Sequence, residues 1–391
     1  MLDGIRVLDL CDESGQLAAK VLGDLGADVV AVEPPAGKAL RQRGPFLGGE
    51  PGLERSLAWQ ALNTSKRSVV LDPAEAESRD GLAALAARAD VWIDTARPGE
   101  RATQGLDPAR LRALNPRLVV CCITPFGLDG PRADFAAGDL VVVAMGGNLG
   151  LTGSPDRPPL RCSMPTSHYH AAPEAALGVV MALYAREDSG RGQLVDLSLH
   201  ETQLQSLLSF PAQHRFKKEP ARRVGPRIGR TREIWPTADG YVSYGLRGGP
   251  TRIKNLIATV QYMDECGAAP DWLRDYDWKA FNHNTLGDDE IARFEEAFGT
   301  FFRSRSRRDL YEEALKRRIF LAPCNDAKEI LEHRQLRERE LFTEVEVAED
   351  GARVELPDFF AKTEDGAVRL RRRAPRLGEH QAEVFADWGV S

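Results

Sequence analysis

The stretch IRVLDLCDESGQLAAKVLGDLGADVVAVEP, residues 5–34, decides the fold class. IRVLDL (5–10) is a short apolar run of the kind that forms a strand buried on both faces of a parallel sheet. GQLAAKVLGDLGA (15–27) repeats apolar residues at helical spacing, Leu17, Val21, Leu22 and Leu25, and stops at Gly26. DVVAVEP (28–34) is a second strand, closed by Pro34. Strand, helix and strand in this order make a βαβ unit with a right-handed crossover and parallel strands. SVVLD (68–72), a helix through GLAALAARA (81–89), DVWID (90–94) and RLVVCCITP (117–125) continue the pattern. The N-terminal third therefore predicts a doubly wound α/β domain.

The first turn reads CDESGQLAAK and lacks the GxGxxG phosphate fingerprint, which weakens a dinucleotide-binding assignment. Glu33, at the end of the second strand, stands where such folds place a ribose-binding acid; an acidic strand end with no ligand is the equal alternative. Further along, APEAALGVVMALYARE (172–187) predicts a helix, LVDLSL (194–199) a strand and ETQLQSLLSFPAQHRF (201–216) another helix. KKEPARRVGPRIGRTR (217–232) reads as a basic linker. A smaller domain follows, entered by the hairpin IWPTADGYVSYGL (234–246) with its Asp239-Gly240 turn, and completed by helices at 251–266, 289–304 and 307–317. Strand-like pieces return after residue 340. The expected boundaries are 1–216 for the large domain, 217–232 for the linker, 233–325 for the small domain and 326–391 for a C-terminal segment.

The 391 residues exceed one compact core. With 42% hydrophobic and 28% charged residues, the composition is that of a soluble globular protein. A net charge of -6 argues against nonspecific nucleic-acid binding. The six cysteines lack CxxC spacing and predict reduced thiols rather than disulfides or zinc. No signal peptide and no bilayer-spanning run is evident, so a cytoplasmic location without membrane attachment is expected.

Six phrases in order, LDGIRVLDL, DLGADVVAVEPPAGKALRQRGP, LNTSKRSVVLD, the segment from ARPGE to FAAGDL, GSPDRPPLR and SGRGQLVDLSLHETQ, resemble the class III CoA-transferase family. That family includes formyl-CoA and carnitine CoA-transferases and has α-methylacyl-CoA racemase as a relative. The resemblance implies a Rossmann-like large domain built from both chain ends, a smaller α+β domain, and two ring-shaped chains interlocked as a dimer. It implies coenzyme A or an acyl-CoA as bound substrate and a carboxylic acid as acceptor. Arg41, Leu62, Lys66, Arg67, Arg97 and Arg101 fall at the positions it assigns to the coenzyme. Phosphates favour such cations, and surface charge is the alternative use of the same residues. Gly248 and Gly249 in LRGGPTR stand where the family has a glycine-rich loop over the acyl group, a loop that a simple turn also explains.

The resemblance also exposes a departure. Transferases of this family carry an aspartate at the entrance of the helix after the PPxR segment, and here PPLRCSMPTSHYHAAPEAALG (158–178) puts His168 at that position. The aspartate is acylated, and the released thiolate then converts the mixed anhydride to an enzyme-bound CoA thioester. An imidazole has no carboxyl carbon for that thioester. Glu174 and Asp139 are poor substitutes, and the racemase-type histidine position falls on Gly138. The HYH pattern has no third ligand at usable spacing, which predicts no metal. A histidine filling a vacated pocket is one reading. Another is a subunit, similar to the heteromeric aromatic-succinate CoA-transferases, that works with an aspartate-bearing paralogue. The remaining readings are a homodimeric isomerase, lyase or hydrolase using His168 as acid/base, and a non-catalytic acyl-CoA-binding protein.

Overall fold

The computed structural model describes residues 1–105, 107–347 and 351–390. The chain forms two compact units, Met1–Leu149 with Arg161–Glu219 and Arg334–Ser391, and Gly150–Leu160 with Pro220–His333.

The first unit is built on a six-stranded parallel sheet of β1 (Arg6–Leu10), β2 (Asp28–Glu33), β3 (Lys66–Val70), β4 (Val91–Asp94), β5 (Val119–Thr124) and β6 (Leu194–Ser198). Its order is β3-β2-β1-β4-β5-β6. Alternation along the strands sorts side chains onto two faces. Val7, Val29, Val91, Ile93, Val119 and Cys121 pack into one core, which also holds residues of helix α1 (Gln16–Asp24) and helix α2 (Thr166–Ser189). Leu8, Val30, Trp92, Val120 and Cys122 pack into the other with Leu85, Leu111, Val384 and Trp388. Val384 and Trp388 belong to the C-terminal helix Gln381–Trp388. The large unit is therefore Rossmann-like and built from both ends of the chain.

Three local differences from the sequence expectation have physical causes. β3 begins at Lys66 rather than at residue 68, because the charges of Lys66 and Arg67 are neutralised inside the protein and the residues can be buried in a strand. Helix α2 begins at Thr166, six residues before the expected start, and carries Pro173 inside. Its start is fixed from a distance: Asp139 Oδ1 accepts from Ser167 N at 2.9 Å and Ser167 Oγ at 2.8 Å. The expected helix over 201–216 is instead Leu199–Thr202, a 3₁₀ turn Gln203–Leu207 and Phe210–Lys217, interrupted where Pro211 withdraws an N–H.

The second unit has an antiparallel sheet ordered Leu321–Pro323, Tyr241–Tyr244, Ile234–Pro236, with the expected turn closed by Thr237 N donating to Gly240 O at 2.9 Å. Helices Pro250–Glu265 (α3), Asp288–Arg303 and Arg307–Arg317 surround an aromatic core of Trp235, Tyr244, Phe298, Phe301 and Phe302. Residues 150–160 join this unit through the basic linker: Gly225 N donates to Gly153 O at 3.1 Å and Arg223 Nε to Ser154 O at 3.2 Å.

Candidate functional site

In an open parallel sheet the strand order reverses at one point, and the crevice beyond the carboxyl ends there is the natural ligand position. Here the reversal lies between β1 and β4. A cleft of about 820 Å³ occupies that edge, lined by Cys11, Asp12 and Glu13 after β1, Lys38 and Arg43 after β2, and Thr95 after β4. Gly15 opens helix α1 beside it. A Cβ on Gly15 would stand 2.6 Å from Cys11 Sγ and 2.9 Å from Thr95 Cγ2, so only glycine lets the β1 and β4 turns approach this closely.

The cleft floor is charged. Asp9, fully buried near the end of β1, accepts from Lys66 Nζ at 2.7 Å and from Cys11 N at 2.8 Å. Lys38 Nζ donates to Asp9 O at 3.1 Å and Oδ1 at 3.4 Å. Burial alone would raise the Asp9 carboxyl, but the Lys38 and Lys66 charges outweigh it and hold the group below the usual carboxylate range. At the end of β4, Asp94 accepts from Trp92 Nε1 at 2.7 Å, Ala96 N at 2.9 Å and Arg101 Nη1 at 2.6 Å. There burial wins over Arg101, and the Asp94 carboxyl is raised.

His168 sits in the first turn of α2, 7% exposed. Burial pushes its imidazole below the ordinary histidine value; the Asp12 and Asp139 carboxylates act against that, and Arg43 adds to it. Two of these three charges, Asp12 and Arg43, belong to the cleft lining, which ties the histidine electrostatically to the cleft. Neither ring nitrogen has a hydrogen-bond partner among the described residues, and Asp139 Oδ2 is buried without one. The imidazole is thus neutral near neutral pH, able to accept a proton and unable to supply a carboxyl carbon. His170, two positions on, is exposed. No group of three candidate metal ligands occurs among the described residues.

The other residues singled out in the sequence are distributed unevenly. Arg41 is fully buried behind the cleft: its Nε and Nη2 donate to Glu33 at 2.6 and 2.8 Å, Nη1 to Glu54 at 2.7 Å, and its guanidinium lies 3.7 Å over the Trp59 ring. Glu33 also accepts from Ser68 Oγ at 2.6 Å, so its oxygens are spent on the protein and the ribose-acid alternative is removed. Leu62 is half-buried against the small cluster of Leu40 and Trp59. Lys66 spends its three donors on Asp9, on Gln16 O at 2.8 Å and on Asn63 Oδ1 at 2.9 Å. Arg67 lies at the opposite, amino edge of the sheet, paired with Asp28, Glu383 and Asp387. Arg97 is at the surface, bonded to Glu100 at 2.5 Å and Asp134 O at 2.9 Å, whereas Arg101 is buried on Asp94. Gly248 and Gly249 border a separate cleft of about 660 Å³ in the second unit.

The structure thus gathers Lys66 and Arg101 beneath one cleft, and leaves Arg41 behind it and Arg67 on the far edge. Lys38, Arg43 and Asp12 line or floor that cleft and were not singled out from sequence. The signal was there: Lys38 and Arg43 flank Arg41 in GKALRQR, immediately after a parallel strand.

Comparison with known proteins agrees with this architecture. Residues 2–381 match the model of CoA-transferase family III. The chain is 32% identical to the succinyl-CoA:(R)-benzylsuccinate CoA-transferase subunit BbsE of Thauera aromatica, over 98% of this chain and 93% of the relative. It is 31% identical to a succinate–glutarate CoA-transferase of Agrobacterium fabrum, over 99% and 95%. A CAIB/BAIF family protein of Brucella suis superposes with a TM-score of 0.84 at 26% identity, covering 99% of both chains. The protein belongs to the CoA-transferase family III.

Proposed function

We propose that this chain takes part in the transfer of coenzyme A between an acyl-CoA and a carboxylic acid, as a subunit that lacks its own nucleophile and works with a related, aspartate-bearing chain. The observation that carries the reading is His168 in the first turn of α2, a neutral imidazole where the family resemblance calls for a carboxylate. In the transfer, a carboxylate oxygen attacks the acyl carbon and the C–S bond breaks. The thiolate then attacks the enzyme's own carbonyl carbon in the mixed anhydride, releasing the acyl carboxylate and leaving a thioester. The second step needs a side-chain carboxyl carbon, which histidine does not have. The similarity to a relative that is itself named a subunit supports the same reading.

The coenzyme occupies the cleft beyond β1 and β4. Its anionic groups meet Lys38, which has an N–H beyond the two given to Asp9, and Arg43 at the rim. Lys66 and Arg101 act through Asp9 and Asp94, shaping the floor, and Arg41 fixes the segment that carries Lys38. Arg97 adds surface charge nearby, and Arg67 anchors the C-terminal helix.

The test is exchange of labelled coenzyme A between a CoA ester and a free acid, catalysed by the purified chain alone and after mixing with its paralogue. Turnover that requires the second chain supports the reading, and sustained turnover by this chain alone rejects it. One feature favours a second role. The unbonded His168 imidazole, within reach of the Asp12 and Asp139 charges, has the properties of a general base. Loss of a proton-transfer activity on acyl-CoA in His168→Ala would favour that role.

A further inference from the structure

The second unit carries a histidine that none of the above uses. His283 lies on the loop after Phe281 and borders the same cleft as Gly248 and Gly249. Gly248 N donates to His283 Nδ1 at 3.1 Å. A second close approach occurs at this residue: a Cβ on Gly248 would stand 2.9 Å from Phe281 O. The loop 247–249 and the segment 281–283 are therefore fastened by one hydrogen bond and one contact that excludes any side chain. Gly249, with φ +104°, then turns directly into helix α3.

We propose that His283 is a positioning residue, a latch whose Nδ1 lone pair holds the Gly248–Gly249 loop closed and whose protonation opens it. The lone pair accepts the Gly248 N–H only when the ring carries its proton on Nε2. A proton added at Nδ1 sets two donors against each other, and the bond is replaced by repulsion. Burial, and after it the Arg247 charge, push the imidazole below the ordinary histidine value, so the latched form holds at neutral pH. Arg247 is itself balanced by Glu233 at 2.9 Å, and Lys279 lines the same cleft. The bond also commits the Gly248 N–H, which leaves Gly249 to supply any backbone donor to a bound carbonyl. That last consequence rests on the transferase reading; the latch does not.

Hydrogen exchange on the full chain without added CoA ester tests it, reading the protection of the segment 246–252 from about pH 8 to about pH 5 in the wild type, His283→Ala and His283→Asn. Asparagine places an acceptor oxygen near the Nδ1 position and does not titrate. The wild type is expected to lose protection by roughly tenfold at the acid end, the worth of about one hydrogen bond. His283→Ala is expected to be that low at every pH, and His283→Asn to stay protected at every pH. Wild-type protection in His283→Ala, or an acid-dependent loss in His283→Asn, overturns the latch. Because no turnover is read, failure of the transferase reading leaves this result intact.

Discussion

Removal of Lys66 is the sharpest perturbation of the cleft floor. Its ammonium is fully buried and its three donors satisfy Asp9, Gln16 O and Asn63 Oδ1. Lys66→Met keeps most of the volume and leaves Asp9 with Lys38, whose Nζ lies 3.4 Å from Oδ1. Stripping one partner from a buried pair costs about 3–5 kcal/mol, and at ~3 °C per kcal/mol for a unit of this size the melting transition falls by roughly 10 °C. The pH dependence has a definite sign. In the wild type the Asp9 carboxyl is depressed, so its stabilisation is present above the ordinary carboxylate value and disappears as pH falls. Without Lys66 two of the influences that lower the group are gone and it moves up from its wild-type value, so the variant gains less stability than the wild type as pH rises. The gap between variant and wild type therefore widens with rising pH. Thermal melting followed by tryptophan fluorescence measures it, and Trp59, Trp92 and Trp388 report on this unit. The double variant Asp9→Asn/Lys66→Met should recover at least about 1 kcal/mol of the summed single losses. A melting point within ~2 °C of wild type at pH 8, or a gap that narrows with rising pH, refutes the ion-pair reasoning.

Three further outcomes follow from the same geometry. Lys38→Ala should weaken binding of a CoA ester by roughly tenfold or more in calorimetry, through loss of a charge-assisted contact. Arg41→Lys should lower the melting temperature through loss of the two-point bond to Glu33, at about 3 kcal/mol or more, while folded protein keeps its affinity for the ester within about threefold, because the Arg41 guanidinium is spent on Glu33 and Glu54 and does not line the cleft. The His168 imidazole should titrate below the ordinary histidine value in a proton NMR titration. A depressed value means that its contribution to stability is present above about pH 6.5 and is lost as pH falls; a value raised above that point contradicts the burial argument.

Much of this was legible from sequence because local chemistry determined it. Strands such as Val7-Leu8 and Val119–Cys122 are apolar on both faces, and a strand apolar on both faces has few places to go but the centre of a parallel sheet. The histidine at the entrance of α2 was legible too, from the PPLR segment ahead of it and the helical pattern over 172–187 behind it. What stayed hidden depends on partners remote in the chain. Asp139, 28 residues away, sets where α2 begins. Arg67 is fixed by Glu383 and Asp387, more than 300 residues on, so its sequence neighbours said nothing of its use. Arg41 shows the limit from the other side. Its partner Glu33 is only eight residues away, yet a resemblance to a ligand-binding arginine conceals that a carboxylate already occupies both donor faces.

At the centre stands the claim that helix α2 offers a ring where the transfer needs an acid. Mass spectrometry of the complex with its paralogue, quenched during turnover with a CoA ester, measures it directly. Coenzyme A bound covalently to the paralogue alone, with this chain at its unmodified mass, is the predicted result; a thioester-linked adduct on this polypeptide would contradict the account.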